Sequence, residues 1–146
     1  WFLQRDRQRK SDYITLVDKL RQSQLMKYES LQDTLESCST QFRKTAAHEI
    51  MTEAALASVP QIDKKAPAVI MHDINACFLT FRNALKSEAP KVNDKEFAFL
   101  VCHYLGFDLH STALFLSSAY STITAMKTRL KSKMPSNLYN FFFPAS

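Results

Sequence analysis

The chain has 146 residues, 46% of them hydrophobic, and a formal net charge of +5. One glycine and five prolines are too few turn-formers for a β-rich fold, which needs many tight turns, so long helices are expected. The basic balance suits nucleic acid or an anionic surface as partner. No run of about 18 apolar residues crosses a membrane.

The chain opens on Trp1-Phe2-Leu3 rather than Met, followed by Arg5, Arg7, Arg9 and Lys10. It is therefore expected to be a piece of a longer chain or a processed product. An interfacial aromatic followed by cations has the shape of the cytoplasmic end of a transmembrane helix, which places a membrane tether before Trp1 in the parent chain and these residues in the cytoplasm. The plain alternative is a basic helix start. A weaker one is that these cations bind an anionic membrane surface.

Residues 4–56 contain neither Pro nor Gly, and most are acceptable helix formers. A seven-residue repeat runs through Ile14, Val17, Tyr28, Leu31, Leu35, Cys38 and Phe42 and weakens at Arg21 and Gln24. Leu16, Leu20 and Leu25 form a shifted second stripe there. Such a seam asks for another helix to cover it. A second copy would give a coiled-coil homodimer; the later helices of the same chain would serve equally, and self-association is favoured. Residues 1–57 are thus predicted as a long, coiled-coil-like helix, either a single rod or folded back on itself.

Residues 58–90 read as a linker and an amphipathic helix. Pro60 and Pro67 bracket a charge cluster, and Pro67 is suited to the first turn of a helix. Over 67–87, Ile70, Ile74, Phe78, Phe81 and Leu85 recur at three- and four-residue steps.

Residues 91–146 form the third region. Asn93 or Asp94 is the predicted N-cap of a helix over 94–105 that ends at Gly106, the single glycine. A short helix over 109–116 and a polar break at Ser117-Ser118 follow. A third helix, about 119–133, packs through Ile123, Met126 and Leu130, carries Lys127, Arg129, Lys131 and Lys133, and has no acid. A basic helix held against two apolar ones can lie along a phosphate-lined groove. The tail Leu138-Tyr139-Asn140-Phe141-Phe142-Phe143-Pro144 is expected to pack over this domain as a strap, or else to dock another molecule.

The stretch from Val92-Asn93-Asp94-Lys95-Glu96 through Gly106 to Thr122-Ile123 and Leu130…Lys133-Met134 resembles the LuxR-type (GerE-type) helix-turn-helix. The family's opening is L-T-x-x-E, its turn carries a glycine, and its third helix reads N-T-V…I-x-x-K-L. The upstream helix and the basic start are similar to the cytoplasmic C-terminal part of Bacteroidetes membrane-tethered transcriptional regulators. The resemblance implies a DNA-binding transcriptional regulator that dimerises through the long helix. Ser121, Thr122 and Thr124 would meet base edges or phosphates, with Ala125 and Met126 on thymine methyls and Thr128 alongside. Lys127, Lys131 and Lys133 would contact phosphate, and Arg129 would snorkel from the packed side. The departures are Leu109-His110-Ser111-Thr112 in place of a polar helix start, and Ser121 in place of Asn. The alternative is a degenerate helix-turn-helix acting as a protein-interaction module without DNA.

The expected fold class is all-α, a long helix followed by a small helical domain with a C-terminal helix-turn-helix. No cofactor or metal is expected, and neither is catalysis. His48, His72, His103 and His110 are scattered, and Cys38, Cys77 and Cys102 lack metal-ligand spacing, which reads as buried thiols in a reducing compartment. Cys102 and His103 are adjacent, so on a helix their side chains diverge by about 100°, a poor nucleophile–base geometry.

Overall fold

The computed structural model describes the backbone of residues 2–144 and the side chains of residues 7–144. The expectations resting on Trp1-Phe2-Leu3 and on Arg5 fall outside the described side chains. Among the described residues the fold is all-helical: α1 Phe2–Phe42, α2 Ala46–Leu56, α3 Ala66–Cys77, α4 Leu79–Lys86, α5 Asp94–Tyr104, α6 Leu109–Phe115, α7 Tyr120–Lys133 and α8 Ser136–Phe142. No described helix is long and apolar enough to cross a membrane. The chain divides into two units, residues 1–33 and residues 34–146. The three cysteines are free; Cys38 and Cys102 are buried and Cys77 is half-buried.

Of the two forms left open for residues 1–57, the described residues take the broken one, α1 followed by α2. Without any Pro or Gly, α1 stops at Phe42, and Thr45 caps α2. Its Oγ1 accepts from the His48 N–H at 3.3 Å and donates to the Phe42 carbonyl at 2.6 Å. A threonine that can bond its own backbone competes with helix continuation. Phe42, Ala47 and Met51 on either side of the break are fully buried. The heptad seam divides accordingly. Leu35, Cys38 and Phe42 are buried in the core of the second unit, whereas Ile14, Leu16, Leu20 and Leu25 stay exposed.

The helix expected over 67–87 breaks at Phe78 (φ −103°, ψ 15°) into α3 and α4. No helix breaker marks the spot. The Phe78 ring is fully buried and sits 5.6 Å from the Phe42 ring, so a long-range contact, invisible locally, accompanies the bend. The predicted stripe holds regardless: Ile70, Ile74, Phe78, Phe81 and Leu85 are all buried.

Six fully buried phenylalanines, Phe42, Phe78, Phe81, Phe97, Phe99 and Phe115, dominate the core of the second unit. Fully burying one such ring stabilises by about 1.5–3 kcal/mol relative to exposure. The aromatic tail is a strap. Leu138, Phe142 and Phe143 are buried, and α8 packs on both α5 and α7.

Candidate nucleic-acid interface

Three helices position the surface of interest, and their caps are specified by sequence. Asn93 Oδ1 accepts from the Glu96 N–H at 2.8 Å, while Glu96 Oε1 accepts from the Asn93 N–H at 3.0 Å. This reciprocal pair satisfies two of the orphan donors at the start of α5. α5 ends at Gly106, whose φ of +96° is accessible to glycine without strain. There Gly106 N–H donates to the His103 carbonyl at 3.1 Å and Phe107 N–H to the Cys102 carbonyl at 3.1 Å, a Schellman closure.

The α6–α7 turn repeats that geometry without glycine. Ser117 N–H donates to the Leu114 carbonyl at 3.2 Å and Ser118 N–H to the Ala113 carbonyl at 2.9 Å, with Ser117 at φ +52°. Asp108 caps α6 by accepting from the Ser111 N–H at 2.7 Å. That bond holds the Asp108 carboxyl below its usual range. Ser111 and Thr112 are buried, so at the start of α6 it is His110 that faces outward.

Against this scaffold α7 buries Ile123, Met126 and Leu130, the expected stripe. Its outward line is Ser121, Ala125, Thr128 and Ser132, all exposed and all small. Thr122 is exposed and Thr124 half-buried. Thr124 Oγ1 donates to the Ser121 carbonyl and Thr128 Oγ1 to the Thr124 carbonyl. Their hydroxyl hydrogens are thereby turned inward, and each oxygen keeps acceptor capacity. Lys127 and Lys131 stand one turn apart on one flank and Arg129 on the other, all exposed. Arg129 is therefore a solvent-facing cation rather than one reaching round from the packed side. Lys127 Nζ lies 5.2 Å from the centre of the Phe143 ring, so the strap fixes one edge of this face.

Two expected contacts sit elsewhere. Met126 is buried and cannot meet a thymine methyl. Lys133 does not point into the outer face: its Nζ donates to Glu96 Oε1 at 2.7 Å, with the Glu96 side chain fully buried and that of Lys133 25% exposed. The reason is electrostatic. A buried carboxylate requires a counter-ion, and the last turn of α7 brings the lysine to the first turn of α5. Glu96 Oε2 is buried without a hydrogen-bond partner among the described residues, so Lys133 is its counter-charge and also clamps α7 to α5.

A feature not anticipated is the stacked pair His110 and Tyr120, with ring centroids 4.1 Å apart and planes 10° from parallel. Both rings are exposed, at the start of α6 and of α7. The sequence signal was available: each follows a short turn immediately ahead of an apolar stripe. His103, by contrast, is held in the scaffold. Its Nε2–H donates to the Phe142 carbonyl at 2.7 Å and its ring lies 4.4 Å from that of Phe143. Burial pushes its pKa down, against the Phe142 hydrogen bond, and the nearby Lys127 charge adds to the lowering. Burial likewise raises the Cys102 thiol to about 12, which leaves it protonated at neutral pH.

From Leu109 to Ser146 the chain carries no acidic residue. The face of α7 is thus uncharged and shallow along its centre and cationic at its edges. Among the described residues no cluster of three or more His, Cys, Asp or Glu is arranged to hold a metal ion. Comparison of the chain with protein families, curated proteins and solved structures finds no match.

Proposed function

We propose that residues 94–133 act as a helix-turn-helix of LuxR type and bind duplex DNA with the outer face of α7, as part of a transcriptional regulator. The observation that carries this reading is the make-up of that face. Small side chains (Ser121, Ala125, Thr128, Ser132) run along its centre, Lys127, Lys131 and Arg129 along its edges, and no acid lies nearby in sequence. Small residues let a helix approach base edges closely, and edge cations reach the phosphates of the two strands. A helix of 14 residues is about 21 Å long, enough to cross a major groove about 12 Å wide.

Three edge cations and few long polar side chains favour phosphate binding over base reading. Affinity for random duplex should then be weak, in the range of about 10⁻⁴–10⁻⁶ M near physiological salt. A gel-shift series with random duplex at about 50 and about 200 mM salt tests this. Binding that weakens as salt rises supports the reading, and absence of binding at the lower salt removes it. The rival reading is a protein-interaction module without DNA. It draws on the same small-residue line, which could also seat a partner helix, and it predicts no shift at either salt.

A further inference from the structure

Within the first helical unit Leu31 is buried and Tyr28 half-buried, but from residue 7 to residue 26 the large apolar side chains stay mostly uncovered. Tyr13, Ile14, Leu16, Leu20 and Leu25 are 69%, 59%, 56%, 59% and 62% exposed. With half-buried Val17, helical spacing places them on one sector about 180° wide. The charges are sorted around it. Arg7, Arg9, Lys10 and Arg21 fall within about 90° of the sector's centre, whereas Asp12, Asp18, Glu29 and Asp33 fall about 110° or more away. Lys19 and Met26 depart from the pattern, both lying on the far side. Arg9 and Lys10 line one apolar depression with Tyr13 and Ile14, as cations do whose aliphatic stems run along an apolar sector.

This arrangement discriminates between occupants. A two-stranded coiled coil uses a narrower seam. Because these cations lie within the apolar sector, a second copy would bring cations against cations in either orientation, with the acids turned further from the seam. A flat anionic surface suits all three elements together: apolar side chains enter the acyl boundary, cations sit at headgroup level, and acids face water. We propose that the Arg7–Leu25 stretch of α1 lies in the plane of an anionic phospholipid bilayer. This does not depend on DNA binding by α7.

The test is co-sedimentation of the full chain with vesicles of phosphatidylcholine alone and of phosphatidylcholine mixed with phosphatidylglycerol. The wild-type chain is expected to pellet with the mixed vesicles and not with the neutral ones. Each cation removed at the surface lowers partitioning about fivefold, so R9Q/K10Q should lower it about 25-fold. L16Q/L20Q should abolish it, and K127A/K131A should leave it within about twofold. All six positions are exposed, and far-UV circular dichroism checks that helix content persists. Three results would overturn the assignment. The first is no pelleting with anionic vesicles. The second is pelleting that depends on Lys127 and Lys131 but not on Arg9 and Lys10. The third is a stable dimer at micromolar concentration that L16Q/L20Q converts to monomer, which would make a second copy the occupant.

Discussion

Gly106→Ala isolates one physical term. A Cβ added at Gly106 meets nothing within 4 Å, so no side-chain clash contributes. The φ of +96° is the whole difficulty. Left-handed backbone costs an L-residue about 1–2 kcal/mol, and +96° lies beyond the range that non-glycine residues use. Alanine also narrows the unfolded ensemble, which returns about 0.4–1 kcal/mol. The net loss is about 1 kcal/mol, or about 4 °C in melting temperature for a unit of this size. Differential scanning calorimetry of wild type, G106A and G106N measures it. Asparagine visits the left-handed region more readily, so G106N should fall between the other two. A G106A chain that melts at or above the wild-type temperature would refute the conformational argument. A loss several times larger would show that the position carries a contact beyond its backbone.

Other outcomes follow from the same caps and clamps. Ser117→Gly, at φ +52°, should stabilise by about 0.5 kcal/mol in urea unfolding, the strain relief slightly exceeding the added unfolded-state entropy. Lys133→Met leaves Glu96 buried without its counter-ion and should cost about 3 kcal/mol, much of it recovered in the double variant with Glu96→Gln; equal stability of the two variants would contradict the clamp. Phe143→Ala removes the ring that contacts Phe99, His103 and Tyr139 and should destabilise by about 3 kcal/mol, read by the same unfolding curves. His48 and His103 both have lowered pKa values, with burial the largest cause. The unfolded chain therefore binds protons that the folded chain refuses, so stability is full above about pH 6.5 and falls as pH drops below it. A melting temperature flat from pH 7 to pH 5 would count against that burial.

The α5–α7 region was the most legible part of the chain because its punctuation is chemical. Of the two expected caps, Asn93 and Asp94, it is Asn93 that closes the start of α5, in a capping box with Glu96, and Gly106 takes the positive φ that ends the helix. The apolar stripes of α3, α4 and α7 also read correctly, since burial follows helical period. What escaped were breaks set by distant packing. No Pro or Gly ends α1 at Phe42, where Thr45 is the one local signal, and nothing local bends the chain at Phe78; those two rings meet across 36 positions of sequence, at 5.6 Å. In the candidate interface the exposed Lys127 and Lys131 were legible from the helix face. The engagement of Lys133 was not, because nothing in the local sequence marks Glu96 as fully buried. Ser111 and Thr112, buried at the start of α6, are both tied to Asp108, through the Ser111 N–H and the Thr112 hydroxyl.

The central claim is that α7 presents its outer face to polyanionic duplex. The most direct measurement is the slope of log affinity against log salt, taken by fluorescence anisotropy with a labelled random duplex, for wild type and for K127A/K131A. Each phosphate neutralised contributes about −0.9 to that slope, so the account predicts that the double variant flattens it by about 1.8 while the melting temperature holds. An unchanged slope, with binding intact, would place the contact elsewhere on the molecule and contradict the account.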